Sequence, residues 1–446
     1  VIVTNTAWDA KNAALAKTPI YALSIGGLST VYTTQHLAGE GVTGTLPAYE
    51  PWLKTPRGAS QSIDVLAGTS SIGELECEVV DVDGSVLQLV GTEVLEGRTA
   101  TLLVGYPGIA WSDFVALHTY RLYKVTPAKD YTSWMFRSRD RQMDAKRTIY
   151  KHPENGELIS EDNPWIVGGT PAEITQAIYL FALSRDASDL DRTTMLQLDS
   201  GAEGLYKAVR PFLFRVTESI EAKQFLESEI YKAAGLYPVI DNLGRISLRA
   251  FRPPAAGATS VFAFDEDNVI LLPEIDRMEI CNEIIFRIDH DADSGEYGNE
   301  LVFVDADSIS AYGRSGQHVI ESAGLRSNRG AEWFCEEVAD RLFRRFAGTP
   351  EGLKGGAPVA RIETFFLTLP VWVGDYVTLS HPQMPNLITG ELGVTNRLYE
   401  VIDREPDYSS GRMKYRLLDT GLTGLAAAHK WSPSDRDYII GTSEVY

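Results

Sequence analysis

The sequence predicts an α+β protein in which strands predominate, and three observations carry that reading. Runs of alternating apolar and polar residues, the period of a half-buried strand, recur from about residue 58 to 150 and again beyond residue 260. From about 160 to 255 the period changes to that of amphipathic helices. Pro/Gly-rich breaks punctuate the later part, and 446 residues exceed one ordinary core, so about two to four domains are expected.

In the first block, GELECEVVDVDGSVLQLVG sets Leu75, Cys77 and Val79 on one face and Glu74, Glu76 and Glu78 on the other, and Asp83-Gly84 predicts a hairpin turn. RTATLLVGY, TYRLYKVTPA and YTSWMFRSRD are further strands, spaced as in an antiparallel barrel or sandwich. Thr170, Pro171 and Glu173 then make the N-cap, N1 and N3 signature of a helix with Ile174, Ile178 and Phe181 on its apolar face. A second helix is predicted from about Glu221 to Ala234, stopped by Gly235, with Phe225, Leu226, Ile230 and Ala233 at core spacing. LYPVIDNLGRISLRAF follows as a hairpin around Asn242-Leu243-Gly244.

FRPPAAGATS, Phe251 to Ser260, has the composition of a linker. After it come strands at EICNEIIFRI and ELVFVD, then a helix from about Gly330 to Phe346 with Phe334, Val338, Leu342 and Phe346 on one side. GTPEGLKGGAP is a second break, followed by strands at RIETFFLTL, DYVTLSHP, LYEVID and MKYRLLD. No period of about 20 to 50 residues recurs, so a solenoid or propeller is not supported.

Charge narrows the function. Forty-one basic against sixty-one acidic side chains give −20, which repels a phosphate backbone, so specific nucleic-acid binding is not expected. Anionic lipid is disfavoured for the same reason, and no stretch approaches the roughly 20 apolar residues of a membrane span. VIVTNTAWDAK has neither the basic nor the apolar region of a signal peptide. Cys77, Cys281 and Cys335 are far apart without a CxxC partner, so they are read as buried small hydrophobes folded in a reducing cytoplasm.

No catalytic or cofactor-binding residue is predicted. The seven histidines, His36, His118, His152, His290, His318, His381 and His429, form no HExxH or HxH pair and are read as surface or turn residues. There is no GxSxG elbow, Walker A loop or GxGxxG fingerprint. Carboxylates are too abundant for any pair to single itself out as a glycoside hydrolase site. Eight tryptophans and twenty tyrosines suit a sugar cleft, but core and interface packing account for them equally.

One segment carries a metal signal. DHDADSGEYGNE places Asp289, Asp291, Asp293 and Glu300 at positions 1, 3, 5 and 12 of a calcium-loop pattern, a weak candidate because Ser294 replaces the turn glycine and the flanks are strands. A solvated acidic loop is the simpler reading.

The order of elements and several phrases resemble the tail-tip or baseplate hub proteins of tailed bacteriophages, found also in contractile and gene-transfer particles. Thr170-Pro171-Ala172-Glu173-Ile174 resembles the helix opening of that family's middle module, and residues 221 to 251 its helix-to-hairpin element. NEIIFRID with VFVDADSISAYGRSGQHVIESAGLRSN resembles its strand, turn and returning strand, through Asp305, Ser308, Ile309, Tyr312 and Gly313. VWVGDYVTLSHP resembles its Gly-Asp turn, and LYEVIDREPDYSSGRMKYRLLDTG its closing strand pair with a Leu-x-Asp phrase. These phrases span roughly residues 160 to 425 and identify architecture, without catalysis.

The resemblance implies a non-enzymatic homotrimer in the virion, at the distal end of the tail, synthesised in the host cytoplasm. It implies two tube-like β-barrel domains per subunit, forming a pseudo-sixfold ring. The implied divisions are a barrel at 1–157, an α+β module at 158–258, the first part of a second barrel with the helix at 259–350, and its β-rich remainder with a C-terminal extension at 351–446. The implied partners are the subunit itself, the tail tube or distal tail ring, and central fibre or tip proteins, with DNA in transit and no cofactor. A tail-associated carbohydrate-active hydrolase and a receptor-binding adhesin are the alternatives.

Overall fold

The computed structural model describes the chain except residues 1–3, 14–17, 65, 130, 200–208, 252–259, 314, 348–355, 388, 424–440 and 443–446. The expected linker at 251–260, apart from its ends, and most of the break at 348–358 lie outside the described residues.

The first block folds as expected from its alternation. Leu75, Cys77 and Val79 are buried and the three glutamates between them half-buried. Glu74–Val80 belongs to an eight-stranded sheet whose order is Ala48–Glu50, Thr30–Thr33, Ile20–Ile25, Thr99–Gly105, Val115–Pro127, Ser133–Arg139, Glu74–Val80 and Arg57–Gly58. All neighbours are antiparallel except Ala48–Glu50 against Thr30–Thr33.

Asp83-Gly84 does not turn a hairpin. Gly84, at φ +82°, precedes a helix at Ser85–Thr92, because the Asp81 carboxylate accepts the N–H groups of Val86 and Leu87 and satisfies the first turn.

A second sheet runs Ala263–Phe264, Tyr376–Pro385, Leu392–Asp407, Arg412–Thr423, Pro358–Phe365 and Glu274–Arg277. Gln61–Asp64, from the first block, adds to it by pairing Ser62 with Asp403. In the pairings among the described residues each large sheet is open, with its first and last strands as edges, so the finding is a strand-dominated α+β fold of several sheets without a detected closed barrel. The two sheets share one core, in which Tyr21, Leu102, Leu117 and Phe136 of the first join Ile362, Val401, Tyr415 and Leu417 of the second.

A different core gathers the helices. The Thr170 hydroxyl accepts from the Glu173 N–H and the Glu173 carboxylate from the Thr170 N–H, the reciprocal box that opens Pro171–Ala177. Ile174 and Ile178 are buried, but Phe181 is 66% exposed, contrary to its expected place on the apolar face. The helix widens to π geometry at Ile178–Ala182, and the wider turn rotates Phe181 into solvent.

The second helix spans Ala222–Ala234 through a π segment at Leu226–Tyr231 and ends at Gly235, φ +58°. Its four expected core residues are all buried. Among the described residues of the block 259–350, the strands Ala263–Phe264 and Glu274–Arg277 pair into the second sheet and Val269 bridges to its Thr364. Glu283–His290, Tyr297–Val304 and Gln317–Glu321 form a sheet of their own with Gly441–Thr442 on its edge. Ala331–Phe346 shares that sheet's core through Phe334, Val338, Leu342 and Phe346.

The hairpin Leu236–Ile240 and Ile246–Ala250 ties the cores together. Its tip lies on Val115–Pro127, where Asn242 Nδ2 donates to the Ala116 carbonyl and Gly244, at φ +76°, leaves no room for a Cβ: one built there meets the Thr119 oxygen at 2.2 Å. Gly244→Ala is therefore expected to cost about 2–4 kcal/mol from backbone strain and overpacking together. Gly411→Ala, at φ +69° with nothing nearby, isolates the backbone part at about 1–2 kcal/mol. Denaturant midpoints that move equally in the two variants would show that the docked tip contributes nothing.

Candidate functional site

Each phrase singled out in the sequence sits at a structural junction. Asp305 N-caps a helix at Ala306–Tyr312, its carboxylate accepting the Ser308 N–H at 2.8 Å, and Gly313 ends it at φ +67°. The expected turn is thus a short capped helix. Ser308 and Asn282 are buried and bonded at 3.0 Å, fixing that helix to the strand beside it.

Gly374, at φ +81°, makes the turn before Tyr376–Pro385. Asp375 accepts the Trp372 N–H at 2.9 Å and pairs with Arg249 of the hairpin at 3.4 Å. Asp419 of the Leu-x-Asp phrase pairs with Arg397 at 2.9 Å, both nearly buried.

The Asp375–Arg249 pair belongs to a polar cluster where sheets, hairpin and long helix meet. Arg345, fully buried on Ala331–Phe346, donates to Glu400 of the second sheet at 2.9 Å, and the Tyr237 hydroxyl donates to the other carboxylate oxygen at 2.7 Å. Arg404 is likewise fully buried. Its guanidinium lies 4.5 Å over the Trp372 ring and donates to the carbonyls of Val371 and Leu369.

His118 joins this cluster, where the sequence placed it on the surface. It is 0% exposed, its Nε2 lies 2.8 Å from the Tyr408 hydroxyl and its ring 5.3 Å from that of Trp372. The cause is a bulge: Leu102 pairs with His118 and Leu103 with Ala116, so the extra residue turns His118 inward. Burial, aided by the nearby Arg404 charge, holds the imidazole well below its usual pKa. The buried arginines were also missed, because a charged side chain, on the helix at Arg345 or in the strand at Arg404, reads as solvent-facing. All three cysteines are free and buried as expected.

Of the calcium-pattern residues, Asp289 lies within Glu283–His290, Glu300 lies within Tyr297–Val304, and Asp291 and Asp293 lie on the connection between them; Asp289, Asp291 and Glu300 turn towards protein groups. Asp289, at φ +57°, accepts from Asn299 Nδ2 at 2.7 Å and the Ser327 N–H at 3.0 Å. Asp291 accepts from the Asp293 N–H and the Ser294 hydroxyl, both at 3.0 Å, and Glu300 pairs with Arg287 at 3.1 Å. Among the described residues no group of three or more His, Cys, Asp or Glu side chains is placed to hold a metal.

Two open clefts bear on the hydrolase alternative. One of about 630 Å3 is lined by Lys146, Lys223, Lys232, Glu221 and Glu227, with Lys223 bonded to Glu227. The other, of about 590 Å3, holds Glu405 and Asp407 beside Lys54, Arg57 and Lys414. Hydrogen bonds from Ser409 and Ser410 pull Asp407 down to about 2, the reverse of what a general acid needs. The carboxyls raised by burial include Asp140 and Glu229, which accept backbone N–H groups inside the fold.

Among the described residues no helix is long and apolar enough to cross a membrane. The fold and this cluster thus define a strand-dominated α+β protein in which Asp375 of the Gly-Asp phrase ties the second sheet to the hairpin.

The chain is matched to several solved structures at low identity. The 43 kDa tail protein of prophage MuSo2 from Shewanella oneidensis is 13% identical, with 90% of this chain and 98% of that chain covered at a TM-score of 0.44. A tail protein from Neisseria meningitidis MC58 is 11% identical, with 91% and 98% covered at 0.46. A chain in the virion of a native gene transfer agent particle is 12% identical, with 85% and 86% covered at 0.32. No protein-family model matches the chain, and no curated protein matches it in sequence.

Proposed function

We propose that the chain is a non-enzymatic structural subunit of the hub at the distal end of a bacteriophage tail. Three copies form a ring that joins the tail tube to the central fibre or tip proteins and lets DNA pass. The observation that carries the proposal is the pair of large sheets sharing one core. Each sheet is proposed to belong to one of the two tube-like domains of the subunit, so three subunits present six such domains to a hexameric tube. The proposed divisions are 1–157, 158–258, 259–350 and 351–446.

Two features support the ring. Each sheet ends in short edge strands, Ala48–Glu50 and Arg57–Gly58 in the first, Ala263–Phe264 and Glu274–Arg277 in the second, and pairing or covering such edges between subunits removes an aggregation liability. Three copies at −20 each carry −60, which keeps a passing DNA backbone off the walls of a lumen.

The test is sedimentation of the purified chain, alone and with tube protein, followed by a map of the assembled tip. A threefold ring under the tube with an acidic channel is expected. A monomer in both mixtures, or a basic channel, would overturn the reading.

A further inference from the structure

Three guanidinium groups share two carboxylates where the first sheet meets the helical module. Arg121 projects from Val115–Pro127, Arg141 and Asp144 lie on the short helix Arg141–Lys146, and Arg185 and Asp189 lie on the segment that follows the π turn Ile178–Ala182. Asp189 pairs with Arg141 and, at a longer 3.4 Å, with Arg121, while Asp144 pairs with Arg185 at 3.0 Å. Asp241, whose charge also reaches Arg141, is engaged by Arg245 at 2.7 Å. Cations are therefore in local excess, in a chain that carries −20 overall.

The donors of these groups are not used up. Arg121 Nε and Arg185 Nε are each buried and, among the described residues, have no hydrogen-bond partner. A guanidinium holds its N–H donors in a fixed fork, and donors kept from water are costly until an acceptor meets them. Burial, with the Arg121 charge adding to it, lowers both Arg141 and Arg185 from the usual arginine range. The backbone also spends strain to keep Arg185 in place. Ser184, directly before it, takes the left-handed φ of +52°, and the Arg185 N–H donates to the Tyr179 carbonyl at 2.9 Å across the π turn.

We infer that this cluster is a binding site for a small tetrahedral oxyanion of the phosphate or sulfate class. Oxygens that point in several directions can accept from guanidinium forks arriving on different elements, which a spherical halide does less well. Side-chain exposures of 12% at Arg141 and Arg185 and 29% at Arg121 leave the cluster open to a free ion and too closed for a polymer backbone or a protein segment. The bound ion offsets the repulsion among the three cations and braces the first sheet against the helical module.

Titration of the full-length chain with inorganic phosphate at constant ionic strength, read by calorimetry and by the thermal midpoint, tests this. The parent is expected to take up one phosphate, for which sulfate competes, and to unfold at a higher temperature than in chloride. Phosphate also strengthens burial generally, so the part of that rise lost in Arg121→Gln reports the site. Arg121→Gln removes the guanidinium with the longest of the three ion pairs and is expected to weaken binding about tenfold. Arg185→Lys keeps the charge, loses the fork and should bind several-fold more weakly. Arg215→Gln, at an exposed arginine outside the cluster that pairs with Glu161, should bind as the parent does. A parent that takes up no phosphate, or Arg121→Gln and Arg185→Lys chains that bind it as tightly as Arg215→Gln, would overturn the inference.

Discussion

Glu400→Ala is expected to lower the unfolding free energy by about 3–5 kcal/mol, because it leaves the guanidinium of Arg345 without its carboxylate in a site closed to water. Arg345 is 0% and Glu400 2% exposed at the side chain, and the carboxylate also accepts from Tyr237. One residue of the second sheet therefore ties together the long helix and the hairpin, which belong to the other core. Glu400→Gln keeps an acceptor for Tyr237 and should fall between alanine and the parent. Arg345→Met with Glu400→Met removes both charges and should recover most of the loss, since the attraction within a buried pair is largely offset by desolvation. Guanidinium unfolding of the four proteins measures this. An alanine variant within 1 kcal/mol of the parent would mean that water reaches the pair. If the two cores are coupled mainly here, the alanine variant should also unfold in two steps where the parent shows one.

The parts of the fold that were legible in the sequence are those where a local rule and the global packing agree. The Glu74–Val80 alternation, the capping box at Thr170, the stop at Gly235, the hairpin at 236–250 and the apolar face of Ala331–Phe346 each have a cause within a few residues. The misreadings share another property: each depends on one residue inserted or captured out of period. Asp81 captures two N–H groups and starts a helix where Asp83-Gly84 spelled a turn. A π turn moves Phe181 off its face, and a bulge turns His118 inward. The buried arginines are beyond local reasoning altogether, since Arg345 and Glu400 are distant in sequence and meet only in the assembled fold.

Asp140 and His118 give the chain two opposing responses to pH, and separating them is the second large effect. Asp140 is buried at the foot of the first sheet, where it accepts N–H groups from Gly73 at 2.6 Å and Gln142 at 2.9 Å. Burial nevertheless outweighs those bonds and the pull of Lys223 and raises it to about 7. An unfolded aspartate releases its proton near 3.8, so between about 4 and 7 the folded state holds a proton that the unfolded state has lost. Stability from this group is full below that window and is lost as pH rises through it. The shift of about 3 units corresponds to roughly 4 kcal/mol. His118 acts in the other direction: its folded pKa is depressed, so as pH falls below 6.5 the unfolded state gains a proton that the folded core refuses, and stability falls with it. Asp140→Asn, which keeps a carbonyl acceptor but cannot ionise, should therefore show stability rising with pH up to about 6.5 and level above it. His118→Gln should show the reverse slope, falling from about pH 4 to 7, and the parent should lie between them with a shallower dependence. Denaturant midpoints from pH 4 to 8 resolve the three curves. If Asp140→Asn runs parallel to the parent across the whole range, Asp140 is ionised in the folded core and its two backbone N–H bonds prevail over burial.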